Sequence, residues 1–132
     1  MTRPEGFAYT RERFQQLVED ALAIARGLGA SDAGAEVSEG VGLSVSVRKG
    51  ALENVERNRD KSLGVTVYLG QRRGNASTSD LSAGSIAQTV DAACAIARHT
   101  APDEAAGLPG KDRLFHGDAP GLDLFHPWGL SV

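Results

Sequence analysis

The chain carries one string of small polar residues at the end of an alternating apolar run: Gly74, Asn75, Ala76, Ser77, Thr78 and Ser79. Three chemistries suit such a string: a phosphate cradle, a nucleophilic serine, or a joint between a strand and a capped helix. A phosphate-binding loop sits between a strand and a helix and ends in Gly-Lys-Ser/Thr. The only lysine nearby, Lys61, precedes the strand. A nucleophile elbow needs Gly-x-Ser-x-Gly, and neither Ser77 nor Ser79 has the flanking glycines. No general base lies in the local sequence to activate a hydroxyl. The joint is therefore the expected reading, with the hydroxyls satisfying backbone groups where the sheet ends.

Other candidates are weaker. "GLGASD" (27–32) and "GVGLSV" (40–45) each hold Gly-x-Gly but lack the third glycine of a dinucleotide fingerprint. They read as helix termination and a turn. The three histidines, His99, His116 and His126, include no i, i+4 pair for a metal. His116 and His126 are neighboured by Asp118 and Asp123, but that segment is rich in Pro and Gly and poorly suited to holding ligands rigidly. Cys94 lies on an apolar stripe and reads as a small buried hydrophobe. Arg48, Lys49, Arg57, Arg59 and Lys61 share their stretch with Glu53, Glu56 and Asp60, and no aromatic residues are interleaved. A solvated hairpin fits that mixture better than a nucleic-acid patch.

These residues must be held by elements. Phe14, Leu17, Val18, Ala21, Leu22 and Ala25 recur with helical spacing, so a helix is predicted over 10–28. Thr10 is placed to cap it, and Gly27 and Gly29 to end it. A second helix is predicted over 82–99, with Ser82 as cap, Leu81 and Ile86 as a hydrophobic staple, and Ile86, Val90, Ala93, Cys94 and Ala97 inward. Between them the period falls to two. Leu43, Val45 and Val47 alternate with Ser44, Ser46 and Arg48, while Leu63, Val65, Val67 and Leu69 alternate with Gly64, Thr66 and Tyr68. Half-buried strands follow. Lys49-Gly50 and Gly70 to Arg73 suit tight turns. Leu52 and Val55 differ in parity, which predicts a bulge or an edge there. With a short strand near 35–38, four or five mainly antiparallel strands are expected. The architecture is an α+β two-layer sandwich with two helices on one face.

From Thr100 no period persists. Four of the five prolines lie there, with five acidic residues against two basic. Residues 1–100 are expected to form the domain and 101–132 an extended connector held by isolated anchors: Leu108, Leu114, Phe115, Leu122, Leu124, Phe125 and Trp128. The connector would lead to a further domain, the chain being a fragment of a longer protein. The 132 residues carry 41% hydrophobic but only 5% aromatic residues, so the core must be aliphatic. A net charge of −3 argues against direct nucleic-acid binding. The single cysteine excludes an internal disulfide framework. No stretch reads as a signal peptide or membrane span, and a soluble cytoplasmic protein is expected. The outward positions Ser44, Ser46, Thr66 and Tyr68 form a face of small hydroxyl residues and tyrosine. Such a face accepts another protein or peptide at modest desolvation cost, although hydroxyl residues also suit strands in their own right.

The stretch "LSVSVRKGALENVERNRDKSLGVTVYLGQRRGNASTSDLS" (43–82) resembles the N-terminal region of the TldD/PmbA family, on its PmbA (TldE) side, and "APDEAAGLPGKDRL" and "LDLFHPW" look like its continuation. The resemblance implies a cytoplasmic two-subunit metallopeptidase that trims unfolded or modified peptides. It implies zinc in a TldD-like partner subunit, bound by a His-Glu-x-x-x-His motif. This chain has no His-Glu dipeptide, so no catalytic or metal residue is carried over, and the chain is expected to be inactive alone. The expected role is peptide handling or subunit assembly. The rivals are a regulatory module of the DNA gyrase modulator type and a purely structural dimerisation domain.

Overall fold

The computed structural model describes residues 6–118, 121–126 and 129. The order is α1 (Arg11–Gly27), β1 (Asp32–Arg48), β2 (Ala51–Leu69), β3 (Arg72–Thr78) and α2 (Ala83–His99), then a short 3-10 turn at Lys111–Arg113. The strands form one antiparallel sheet in the order β1-β2-β3. Both helices lie on one face of it, α1 against β1 and α2 against β2 and β3.

Local chemistry sets the helix ends. Thr10 accepts from the Arg13 N–H at 3.1 Å, and Ser82 accepts from the Ser85 N–H at 3.3 Å, so each cap takes one of the orphan donors of its first turn. Leu81 and Ile86, the staple pair, are both in the core. Helix α1 stops in a Schellman motif: Gly29 takes φ +90°, its N–H reaches the Arg26 carbonyl, and the Ala30 N–H reaches Ala25. Gly27 stays helical. The predicted inward residues of α2 are buried. Those of α1 are buried (Leu17, Ala21, Ala25) or half-buried (Phe14, Val18, Leu22). Leu63, Val65 and Val67 complete the aliphatic core beneath them.

The sheet has three strands rather than four or five, because two expected breaks are absent. Gly40 and Gly42 lie in extended backbone within β1, so the short strand near 35–38 and the strand at 43–48 are one element of 17 residues. In the same way the segment that holds Leu52 and Val55 is continuous with the strand at 63–69, and together they are the 19-residue β2. The turn at Lys49-Gly50 has both residues at positive φ, +51° and +77°, as a two-residue type I′ hairpin requires. The register shifts between Ser46 and Val47, where Leu52 pairs with Val47 and Val55 with Val45. That bulge returns Leu52 and Val55 to the same face.

The expected half-burial of Leu43, Val45 and Val47 does not occur: they are 37%, 41% and 64% exposed. Length is the reason. A 17-residue helix spans about 25 Å, whereas a 17-residue strand spans about 56 Å. The helices therefore cover only the base of the hairpin. Beyond residue 39 on β1 and 61 on β2 it continues as a bare two-stranded ribbon. At the boundary the segment before α1 lies on the ribbon. The Ala8 and Tyr9 N–H groups donate to the Glu39 carboxylate at 2.8 to 3.2 Å, Arg59 donates to the Gly6 carbonyl at 2.6 Å, and the Lys61 ammonium sits 5.7 Å from the Tyr9 ring centroid.

After Thr100 the chain crosses the outer face of the sheet, tied by the Asp103 N–H to the Gln71 carbonyl at 2.9 Å. Leu108 lines the outer groove but is itself 39% exposed, so it is at most a partial anchor. The other expected anchors do not hold: Leu114, Phe115, Leu122, Leu124 and Phe125 are 44% to 81% exposed. Trp128 lies outside the described residues.

Candidate binding groove

The polar string resolves as a joint. Gly74 is buried where α2 crosses β3, and a Cβ there would run into the Ala93 carbonyl and the Ala97 backbone. Glycine is required for this close approach of helix to strand. Past Thr78 the hydroxyls tie the turn: Thr78 Oγ1 accepts from the Asp80 N–H at 3.0 Å, Asp80 accepts from the Ser82 N–H at 2.9 Å, and the Ser85 hydroxyl donates to Asp80 at 2.8 Å. The Ser82 N–H, and after it the Ser85 hydroxyl, hold the Asp80 carboxyl below the usual aspartate range. Burial pushes the Cys94 thiol up, away from reactivity.

On the outer face, register aligns the three strands rung by rung. Asp32, Tyr68 and Arg73 share one rung; Gly34, Thr66 and Asn75 the next; Glu36, Gly64 and Ser77 the third. Gly64 lacks a side chain, and the Glu36 carboxylate lies over it, 3.5 Å from where a Cβ would stand. These rungs floor an open groove of about 590 Å³, with Leu108 at its margin. A second hollow of about 330 Å³ lies between Tyr68, Arg73 and the crossing segment 100–107. The floor offers hydroxyls, an amide and a carboxylate, a set that can hydrogen-bond a polar extended ligand.

The four expected contact residues do not form one site. Thr66 is half-buried in the groove floor, and Tyr68 is only 8% exposed, beside the crossing segment. Ser44 and Ser46 share that face but lie on the ribbon, ten and twelve residues along β1 from the partner of Thr66, which is roughly 30 to 40 Å. Glu36, Asn75 and Ser77 join the site only through the hairpin register. The histidines stay apart: His99 is exposed in the last turn of α2, and His116 Nε2 lies 2.7 Å from the Lys111 carbonyl. Among the described residues no three His, Cys, Asp or Glu side chains gather closely enough to hold a metal ion. None of the described helices is long and apolar enough to cross a membrane.

Fold and groove together define a two-layer α+β domain with a polar outer face. Residues 34–97 match the sequence profile described as PmbA/TldA metallopeptidase domain 1, and the chain belongs to the PmbA/TldD family as its N-terminal domain. It is 52% identical over 124 residues to Metalloprotease PmbA of Escherichia coli O157:H7, covering 91% of this chain and 27% of that protein. It is 47% identical over 121 residues to a Metalloprotease PmbA homolog of Haemophilus influenzae, covering 92% and 26%. The chain thus spans about a quarter of the length of these relatives. The fold is also that of a Bacteroides thetaiotaomicron protein described as a modulator of DNA gyrase (TM-score 0.74, 22% identity, 84% of this chain and 25% of that one). It is shared with TldE from Thermococcus kodakarensis (0.66, 14%, 81% and 24%).

Proposed function

We propose that this domain is a non-catalytic part of a PmbA/TldD-type metallopeptidase subunit and that its outer groove holds extended peptide for cleavage elsewhere in the assembly. On this reading residues 1–100 are the folded unit and 101–132 the connector to the remaining domain. A TldD-like subunit supplies the zinc, and the assembly works in the cytoplasm. The observation that supports peptide handling is the groove floor itself. Thr66 on the central β2, Asn75 and Ser77 on the edge strand β3, and Glu36 on the edge strand β1 stand on adjacent rungs. An edge strand offers main-chain pairing to an extended segment, and small side chains keep its approach open. The Glu36 carboxylate favours a peptide bearing an amino terminus or a basic residue near the groove.

The test is photo-crosslinking in the full-length complex. A benzophenone attached at Ser77→Cys is expected to capture unfolded peptide. The same probe on Gln88→Cys, on the exposed side of α2, is expected to capture none. Equal capture at both positions would refute a groove-specific role.

A further inference from the structure

The outer groove and the smaller hollow beside it share Tyr68 and Asn75, so they are two parts of one trough. The smaller part lies at the Gly70–Gln71 end of the sheet, where the crossing segment walls it. The Asp103 N–H holds the Gln71 carbonyl, and the Ala105 and Ala106 N–H groups turn back onto Asp103 at 2.9 and 3.0 Å. Among the described residues Arg73 is the one cation that lines this hollow. Its neighbour Arg72 turns to the other face of β3 and donates to the Arg98 carbonyl at 2.9 Å. Arg73 pairs with no group among the described residues, whose one ion pair is Arg48 with Glu53. The carboxylates of Asp103, in the wall, and Asp32, on the rung of Tyr68 and Arg73, each accept from a backbone N–H instead, at 2.9 and 3.0 Å. Tyr68 is only 8% exposed, and its hydroxyl also has no partner among the described residues. No buried side-chain polar atom is left unsatisfied there, so that hydroxyl lies at the surface of the trough that Tyr68 lines.

We infer that this end of the trough receives the terminal carboxylate of the held peptide, an inference that rests on the peptide-holding reading. A guanidinium presents paired N–H donors in a plane that matches a carboxylate, and such charge-assisted bonds are about twice as strong as neutral ones. The Tyr68 hydroxyl and the Asn75 amide supply further donors for the same oxygens. An internal peptide unit offers Arg73 only a neutral carbonyl, and a chain that continued past Arg73 would meet the wall at 100–107. The far end of the trough bears the opposite charge. Glu36 stands two rungs along and two strands across from Arg73. That is about 13 Å along the strands and about 10 Å between them, or roughly 16 Å in all. An extended peptide of about five residues covers the span. With its carboxylate at Arg73, its amino end lies toward Glu36, so the trough selects direction as well as terminus. The ligand class is a short peptide with a free carboxyl end, which hydrolysis of any peptide bond creates on the N-terminal product.

Titration calorimetry on the full-length protein, without other subunits, tests it with three probes: Ala-Ser-Val-Thr-Ser as the free acid, the same peptide as its carboxamide, and the carboxamide of Ala-Ser-Val-Thr-Glu. Wild type is expected to bind the free acid about ten-fold more tightly than either carboxamide, the lower end for hydrogen bonds to a charged group. Arg73→Gln is expected to bind all three alike, and Arg73→Lys to keep part of the preference. Arg57→Gln, on the ribbon, makes the same change in net charge and is expected to keep all of it. Equal binding of acid and carboxamides by wild type overturns this inference and leaves the peptide-holding reading standing. A preference that survives in Arg73→Gln overturns Arg73 as the group that reads the carboxylate. The glutamate carboxamide binding as tightly as the free acid overturns the terminus in favour of a side-chain carboxylate. Binding of none of the three overturns the inference together with the reading it rests on.

Discussion

Two residues show how narrowly the joint after β3 is specified. Gly74 has no room for a methyl group beneath α2, whereas a Cβ at Gly84, in the first turn of α2, meets nothing within 4 Å. Gly74→Ala is therefore expected to cost about 1 to 3 kcal/mol through overpacking against backbone that cannot yield. Gly84→Ala is expected to leave stability unchanged or raise it by up to about 1 kcal/mol. Urea melts of the two variants check the contrast. Asp80 gives a pH signature of defined sign. Its carboxyl is depressed in the folded state from the ordinary 3.8, chiefly by the Ser82 N–H. Its contribution is therefore fully present above that value and lost as pH falls through the folded one. Asp80→Asn should melt lower than wild type at neutral pH, and the gap should narrow on acidification below 3.8. A gap that is constant with pH would show that the carboxylate charge does not matter to the cap. These roles were only half legible. The serines and threonine were readable as caps because capping is local in sequence. Gly74 was not, because what lies above it comes from α2, some twenty residues on.

At the scale of elements, coverage rather than periodicity decides what a side chain contributes. Val65 is 2% exposed beneath the helices, whereas Val47 has the same parity and is 64% exposed on the ribbon. Val65→Asp buries an unpaired charge and is expected to destabilise by about 3 kcal/mol or more, or to prevent folding. Val47→Lys in the chain of 132 residues is expected to cost under about 1 kcal/mol, and Thr66→Asp, on the outer face, far less than Val65→Asp. Thermal denaturation followed by circular dichroism separates the three. Equal losses at Val65 and Thr66 would mean that the register is wrong. Helices, caps, the Lys49-Gly50 turn and the bulge near Leu52 were all readable, since each depends on residues within a few positions. The strand number is not legible in the sequence because Gly40 and Gly42 look like breaks, yet glycine also fits extended backbone. Nor does alternation reveal that a helix of 17 residues cannot reach the end of a strand of 17. The groove was partly legible for a related reason. Parity put Thr66 and Ser44 on one face, but their separation depends on β1 being continuous. Glu36 and Ser77 meet the rung of Gly64 only through a register that two turns set.

For the molecule as a whole, the domain has two faces of different chemistry. The inner face buries the core at its base and leaves an aliphatic and cationic ribbon beyond it. The outer face carries a polar groove under the crossing segment. On the proposed reading the peptidase needs a place to hold an extended chain as well as a place to cut it, and the hydrogen-bonding side chains of the groove suit the first. Steady-state peptidase kinetics of the full-length complex separates the two roles most directly, because lost ground-state binding raises KM while lost chemistry lowers kcat. With fold and assembly verified, Thr66→Lys, which fills the groove floor, is expected to raise KM several-fold with kcat nearly unchanged. Ser77→Ala is expected to keep kcat at the wild-type value. Abolition of kcat by Ser77→Ala, or an unchanged KM in Thr66→Lys, would contradict the assignment of this groove to peptide holding.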